Sequence, residues 1–212
     1  MLRYIIALTL SVASLQLSAR TIGDFFGMAK ADIAFPIIDA TTRLDMLDYA
    51  YSGLTTPSNN RQSGVARIIS INDTTLALTP ATGVYTSLSM LTSKSDTVLM
   101  VIETLPLPQY DSRITFYDTR WQPTKRAPLA TPTLQDWFDT KDKKVIEAAR
   151  AEIPFILCTA SYDHATRILT LTNTLDKYFA PEDTPKSMTQ MRAHLYYQLD
   201  DKLRFKRIND IQ

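Results

Sequence analysis

The chain has 212 residues, 45% of them hydrophobic and 21% charged, a balance that marks a folded protein and excludes a disordered one. With 23 Lys and Arg against 22 Asp and Glu, the net charge is +1, so no general attraction to nucleic acid or to an anionic membrane is expected. The single cysteine, Cys158, excludes an internal disulfide, and five glycines leave little room for loops that wrap phosphates.

Arg3 precedes an apolar run over residues 4–13, and a softer stretch over residues 14–19 leads to Arg20. This order is the layout of a secretory signal peptide. The polar Ser14, Gln16 and Ser18 cut the run short of the roughly 18 apolar residues that a membrane-spanning helix needs. Cleavage is expected after Ala19, with Ala13 as the alternative position, and no Cys follows the run to carry a lipid anchor. The competing reading is a first buried strand or helix of the domain. Loss of Arg3 with the leader makes the mature chain neutral, and its expected location is the periplasm or the cell exterior.

The mature chain opens with two helices, over residues 24–30 and 43–52. In the second, Thr42 can cap free amides, Asp45 lies near the positive end of the dipole, and Leu44, Leu47 and Tyr51 recur at helical spacing before Gly53. A polar link over residues 55–64 leads to a hairpin of residues 65–71 and 76–78 around Asn72-Asp73-Thr74-Thr75. A second hairpin joins residues 85–91 and 97–104, and residues 113–118 add a strand with period-two alternation. Pro123, Pro128 and Pro132 mark a linker. Beyond it, the Thr133 to Asp136 stretch repeats the cap pattern, and a helix over residues 140–153 carries Val145, Ala149 and Ile153 before Pro154 ends it. Strands over residues 155–162 and 167–172 and a hairpin of residues 192–199 and 203–208 complete the chain. The pattern predicts an α+β fold of antiparallel sheets with helices on one side, in a possible tandem helix-plus-hairpins repeat. Its modules are residues 20–122 and 134–212, joined by the Pro-rich residues 123–133 or merged into one continuous domain.

The common catalytic patterns are missing: no glycine-rich phosphate loop, no Gly-x-Ser-x-Gly elbow and no His pair around a Glu. His164, in a predicted turn, and His194, on a predicted strand, are too few to build a zinc site, so neither metal nor cofactor is expected. Cys158 lies in an apolar run and reads as a small core hydrophobe. Asp45 and Asp48 share a helix face and could serve as an acid–base pair or hold a cation; the alternative is a role at the helix start and pairing with Arg43. Asp111, Arg113, Tyr117 and Trp121 flank one strand and could bind a sugar or peptide through a Trp platform with a charged rim, unless Trp121 is a partly buried edge residue. The candidate binding residues are therefore Arg43, Asp45, Asp48, Tyr49, Asp111, Arg113, Tyr117 and Trp121. Asp73-Thr74-Thr75 and Asp96-Thr97-Val98 match a short Asp-Ser/Thr-apolar pattern that resembles the O-glycosylation acceptor of exported Bacteroidetes proteins. Thr74 and Thr97 are thus candidate acceptors at hairpin tips.

Three stretches carry a further resemblance: Thr21-Ile22-Gly23-Asp24-Phe25-Phe26; Phe35-Pro36-Ile37-Ile38-Asp39 with Thr42-Arg43-Leu44-Asp45-Met46-Leu47-Asp48-Tyr49; and Asp111-Ser112-Arg113-Ile114-Thr115-Phe116-Tyr117-Asp118 with Trp121. Together they resemble a Bacteroidales family of exported proteins known only as a domain of unknown function, number 3256 of that series. The resemblance covers the first two-thirds of the mature chain, and the remainder through a looser strand pattern. It implies a periplasmic or external location and supplies no catalytic residues. The element order also resembles tandem modules of the β-lactamase-inhibitor-protein type, which present a concave sheet to a protein. The leading reading is a non-enzymatic exported module that binds a protein, peptide or envelope glycan through one sheet face. The alternatives are a hydrolase or lyase of envelope polymers, using carboxylates with Tyr49 or Tyr117, and a structural subunit of a surface assembly.

Overall fold

A computed structural model describes residues 20–30, 33–106, 108–140 and 142–209; the leader expected over residues 1–19 lies outside them. Helices α1 (Ile22–Gly27) and α2 (Ala40–Tyr51) precede strands β1 (Ser58–Asn59), β2 (Val65–Ile71), β3 (Thr75–Ala81), β4 (Val84–Thr92), β5 (Thr97–Leu105) and β6 (Asp111–Tyr117). These six strands form one antiparallel sheet in chain order. A 3-10 turn, Leu134–Trp137, and helix α3 (Lys143–Glu152) lead to β7 (Cys158–Asp163), β8 (Ile168–Asn173), β9 (His194–Leu199) and β10 (Phe205–Ile208). The latter four make a second antiparallel sheet, so the fold is the α+β arrangement that the hydrophobic pattern predicts.

Caps decide where the helices begin and which face they bury. Thr21 and Asp24 close a reciprocal box around α1: the Thr21 amide donates to Asp24 Oδ2 at 2.7 Å, and the Asp24 amide donates to Thr21 Oγ1 at 3.3 Å. Helix α2 starts at Ala40, ahead of the expected residue 43, because Asp39 rather than Thr42 is its cap, accepting from the Thr42 amide at 2.9 Å. Its buried face therefore carries Arg43, Met46 and Leu47, while Leu44 and Tyr51 are exposed. Helix α3 likewise starts behind Asp142 and buries Ile146 and Ala149 rather than Val145.

Two hydrophobic cores lie on opposite faces of the first sheet. The first packs Ile22, Phe26, Met46 and Leu47 of the helices against Leu76, Leu78, Leu88, Leu99 and Val101. The second packs Val98, Met100 and Ile102 against Trp137, Ile146, Leu169, Leu171 and Leu195. Strand β5 is consequently buried on both sides from Val98 to Ile102, which explains an unbroken apolar run in an antiparallel strand. Each such side chain contributes about 1.5–3 kcal/mol through removal from water.

Polar contacts fix the second sheet against the first. The Cys158 and Ala160 amides of β7 donate to Asp111 Oδ1 at 3.0 Å and Ser112 Oγ at 2.9 Å on β6. At the far end of β7, His164 Nε2 lies 3.2 Å from the Met90 carbonyl oxygen of β4, so this turn histidine bridges the sheets and is half-buried. In the first core, Arg43 is buried and donates to the carbonyls of Ile38, at 2.6 Å, and Ala29. Burial lowers its pKa, with the charge of Asp39 opposing the shift. Phe35, Trp121 and Leu203 are buried side chains held at φ 58°, 63° and 57°, a backbone cost of about 1–3 kcal/mol each that their packing must offset.

Because β5 serves both cores, Leu99→Ala and Met100→Ala should each lower the free energy of unfolding by about 2–5 kcal/mol, although the two side chains face opposite ways. Urea titration followed by far-UV circular dichroism and by tryptophan emission should give coincident midpoints for both variants. Separate transitions by the two probes would refute the shared role of the strand.

Candidate functional site: a groove between the sheets

Strand β6 pairs with β5 from Asp111 opposite Leu105 to Tyr117 opposite Leu99, and its side chains alternate between the two faces of the sheet. On the first face, Tyr117 enters the first core and Arg113 bonds Glu103 across the ladder at 2.6 Å. On the other face stand Ser112, Ile114 and Phe116, and these line a groove of about 510 Å³. Ile156, Cys158, Leu129 and Trp137 supply further walls.

The cover of the groove is the Pro-rich segment that follows β6. It begins as a short antiparallel partner of the strand: the Asp118 amide donates to the Gln122 carbonyl at 2.8 Å, and the Thr124 amide donates to the Phe116 carbonyl at 3.0 Å. The ladder then breaks. The Arg126 amide turns to Thr124 Oγ1 at 3.2 Å, its guanidinium reaches both oxygens of Asp96 at 2.9 and 3.0 Å, and Ala127 sinks into the second core. Pro128 and Pro132 have no amide hydrogen with which to resume pairing. The segment therefore leaves the sheet edge near Ile114, and the groove opens between them.

Apart from Lys125, neutral side chains line this space. Burial pushes the Cys158 thiol up to about 11, with the Asp111 carboxylate adding to the shift, so it is protonated at physiological pH. Trp137 is fully buried, and its Nε1 has no hydrogen-bond partner among the described residues. A desolvated donor in that condition costs about 1–3 kcal/mol. Lys125 is an exposed member of the lining, and no carboxylate among the described residues lines the groove.

The residues singled out from the sequence are distributed differently. Asp111 sits at the junction of β6 and β7, where it accepts from the Cys158 amide. Trp121 is not a platform but a core residue: its Nε1 donates to the Phe25 carbonyl at 3.0 Å, and its ring lies 5.7 Å from that of Phe35 and 5.3 Å from that of Tyr117. Arg43 is buried as well, whereas Asp45 and Asp48 are exposed and Tyr49 is half-buried on α2, which packs on the opposite face of the first sheet. Thr74 is half-buried in the β2–β3 turn with its hydroxyl donating to Asn72 Oδ1 at 3.2 Å, and the half-buried Thr97 opens β5 at the same end of the sheet. The structure thus joins Tyr117 to Trp121 as packing and separates the helix candidates from Asp111 and Arg113. Sequence reasoning passed over Ile114, Phe116, Leu129 and Trp137. The available signal was Trp137 itself, the last residue of the capped turn in which the Thr133 amide donates to Asp136 Oδ2 at 2.7 Å.

Among the described residues, no three His, Cys, Asp or Glu side chains gather to hold a metal ion, and no helix is long and apolar enough to cross a membrane. The sequence profile described as "Protein of unknown function (DUF3256)" matches residues 14–205. The chain belongs to this family. Membership agrees with the resemblance carried by the helical and β6 segments, and the description of DUF3256 assigns no function. A solved structure, a domain of an uncharacterized protein from Porphyromonas gingivalis W83, is similar with a TM-score of 0.75 and 23% identity over 90% of this chain and 98% of that one. The two share a fold. No curated protein matches.

The raised Cys158 pKa has a kinetic consequence. With a thiol near 11 against an ordinary value of 9.0, the thiolate fraction at pH 8 is about a hundredfold lower than in an ordinary cysteine. Alkylation by iodoacetamide at pH 8 should be slower than that of glutathione by at least this factor and should recover in 8 M urea, roughly the condition for full unfolding. Equal rates in native protein and glutathione would contradict the burial of this thiol.

Proposed function

We propose that the protein is a non-enzymatic binding module, exported by residues 1–19, that takes an apolar portion of a protein partner into the groove between its two sheets. The groove itself carries this reading: its volume of about 510 Å³ falls within the roughly 300–1,000 Å³ of ordinary ligand sites, and its walls are Ile114, Phe116, Leu129, Ile156 and Trp137. A charged guest would lose its hydration without meeting an opposite charge in the interior. A glycan would need many donors and acceptors, and the buried lining offers few. Export is supported by the order of cationic residue, apolar run and small residues at the start of the chain.

The hydrolase alternative requires two acidic or phenolic groups converging on one cleft. Asp111 is engaged by a backbone amide of β7, whereas Asp45, Asp48 and Tyr49 stand on α2, which packs in the first core. That separation favours binding over catalysis.

The neutral apolar dye N-phenyl-1-naphthylamine tests the site. Its emission should rise saturably on addition of the protein, with one dye bound per chain. Leu129→Asp, on the half-buried cover, should weaken binding at least tenfold, whereas Asp48→Ala on the exposed face of α2 should leave it unchanged. Equal dye binding by a folded Leu129→Asp variant would overturn the assignment.

A further inference from the structure

We propose that the groove receives an extended, uncharged peptide strand of a partner protein, which pairs with the β6 edge at Ile114. This rests on the groove being the binding site and specifies how it is occupied. In an antiparallel strand, alternate residues turn their backbone N–H and C=O to the same side. Since Phe116 accepts from Thr124 and Asp118 donates to Gln122, the even-numbered residues of β6 present these groups outward, away from β5. The 2.7 Å contact between the Thr104 and Ser112 hydroxyls fits the close approach of a pair whose backbone groups face away from each other.

This outward edge is taken at both ends. Residues 122–124 cover it beyond Phe116, and β7 lies against Asp111 and Ser112. Between them, the Ile114 amide and carbonyl have no hydrogen-bond partner among the described residues, and Ile114 is where the groove lies. The protein's own chain shows what this edge accepts: Pro123 is bridged to Tyr117 as an antiparallel extended segment. That ladder stops where the Arg126 amide turns to Thr124 Oγ1 and Ala127 enters the second core. A guest strand would continue the same ladder in the space that the departing segment leaves.

The unmet groups also select the guest. Ile114 offers a donor and an acceptor, so the guest must carry both kinds of group at amide spacing. A peptide does, with apolar side chains to meet Phe116, Leu129 and Ile156. An acyl ester supplies acceptors only and would leave the Ile114 carbonyl unmet.

The test uses the full chain and the tightest decamer selected from a random phage-displayed library. In 15N-resolved NMR titrations, the Ile114 amide and the Trp137 indole N–H should shift together and saturate, and hydrogen exchange at Ile114 should slow at least tenfold. Methylating the decamer's backbone nitrogens one at a time should reveal at least one position that weakens binding tenfold or more. Failure to select any decamer overturns the proposal, as does a decamer that binds with Ile114 unmoved and tolerates every methylation. Methyl octanoate shifting the Trp137 indole where no decamer does also overturns it, in favour of an acyl guest. In each case the dye experiment with Leu129→Asp reports separately whether the groove binds at all.

Discussion

Covering β5 on both faces is the constraint around which the molecule is organised. Five consecutive residues, Val98 to Ile102, leave water, and they need separate partners on the two sides of the sheet. The α1–α2 pair satisfies Leu99 and Val101; the second sheet, α3 and Trp137 satisfy Val98, Met100 and Ile102. A chain with only the first six strands would expose half of this strand, so the second sheet has a physical task before any functional one. The position of the groove follows from that arrangement: β7 leans on β6 at Asp111 and Ser112 and then reaches Met90 through His164, leaving the remainder of the β6 back face to the Pro-rich cover.

The groove marks one of several places where local satisfaction is incomplete. Other buried polar groups are met in whole or in part: Asn60 donates to the Pro80 carbonyl and accepts from Gln62 and Gly64, and the buried Arg43 finds two carbonyls while its Nε has no partner among the described residues. Trp121 and Trp137, one in each core, make the contrast plain. The indole of Trp121 donates to Phe25, while that of Trp137 has no partner among the described residues and lines the groove. Folding bears this cost in the second core because nothing in the cover, pinned by Arg126 to Asp96 and by Ala127, brings an acceptor to the indole.

Much of the architecture was legible in the sequence because strands and turns announce themselves locally. Alternation in residues 113–118 and the turn residues at Asn72 and Asp96 give the hairpins with nearly correct ends. Alternation does not say which face matters, however. Trp121 could be read as a surface platform or as a partly buried edge residue, because nothing local reveals that it adopts a left-handed backbone and folds back onto Phe25. The same limit applies to α2, where moving the cap from Thr42 to Asp39 accompanies a buried face that exposes Leu44 and Tyr51. The groove was hidden for a related reason: it is made by residues 123–132 departing from a strand that precedes them, and Trp137 gains its meaning only from where that departure leads.

The brevity of the first sheet's edges has a bearing on how copies of this protein behave toward one another. Strand β1 is two residues long, and β6 is flanked by residues 122–124 on one side and β7 on the other. Open-ended stacking of sheets requires a long, flat row of unpaired backbone groups that templates the next chain. A gap centred on one residue is enough to register a guest strand but too short to propagate a ladder. The gap in the β6 edge is therefore too short to serve as a nucleus for fibre growth.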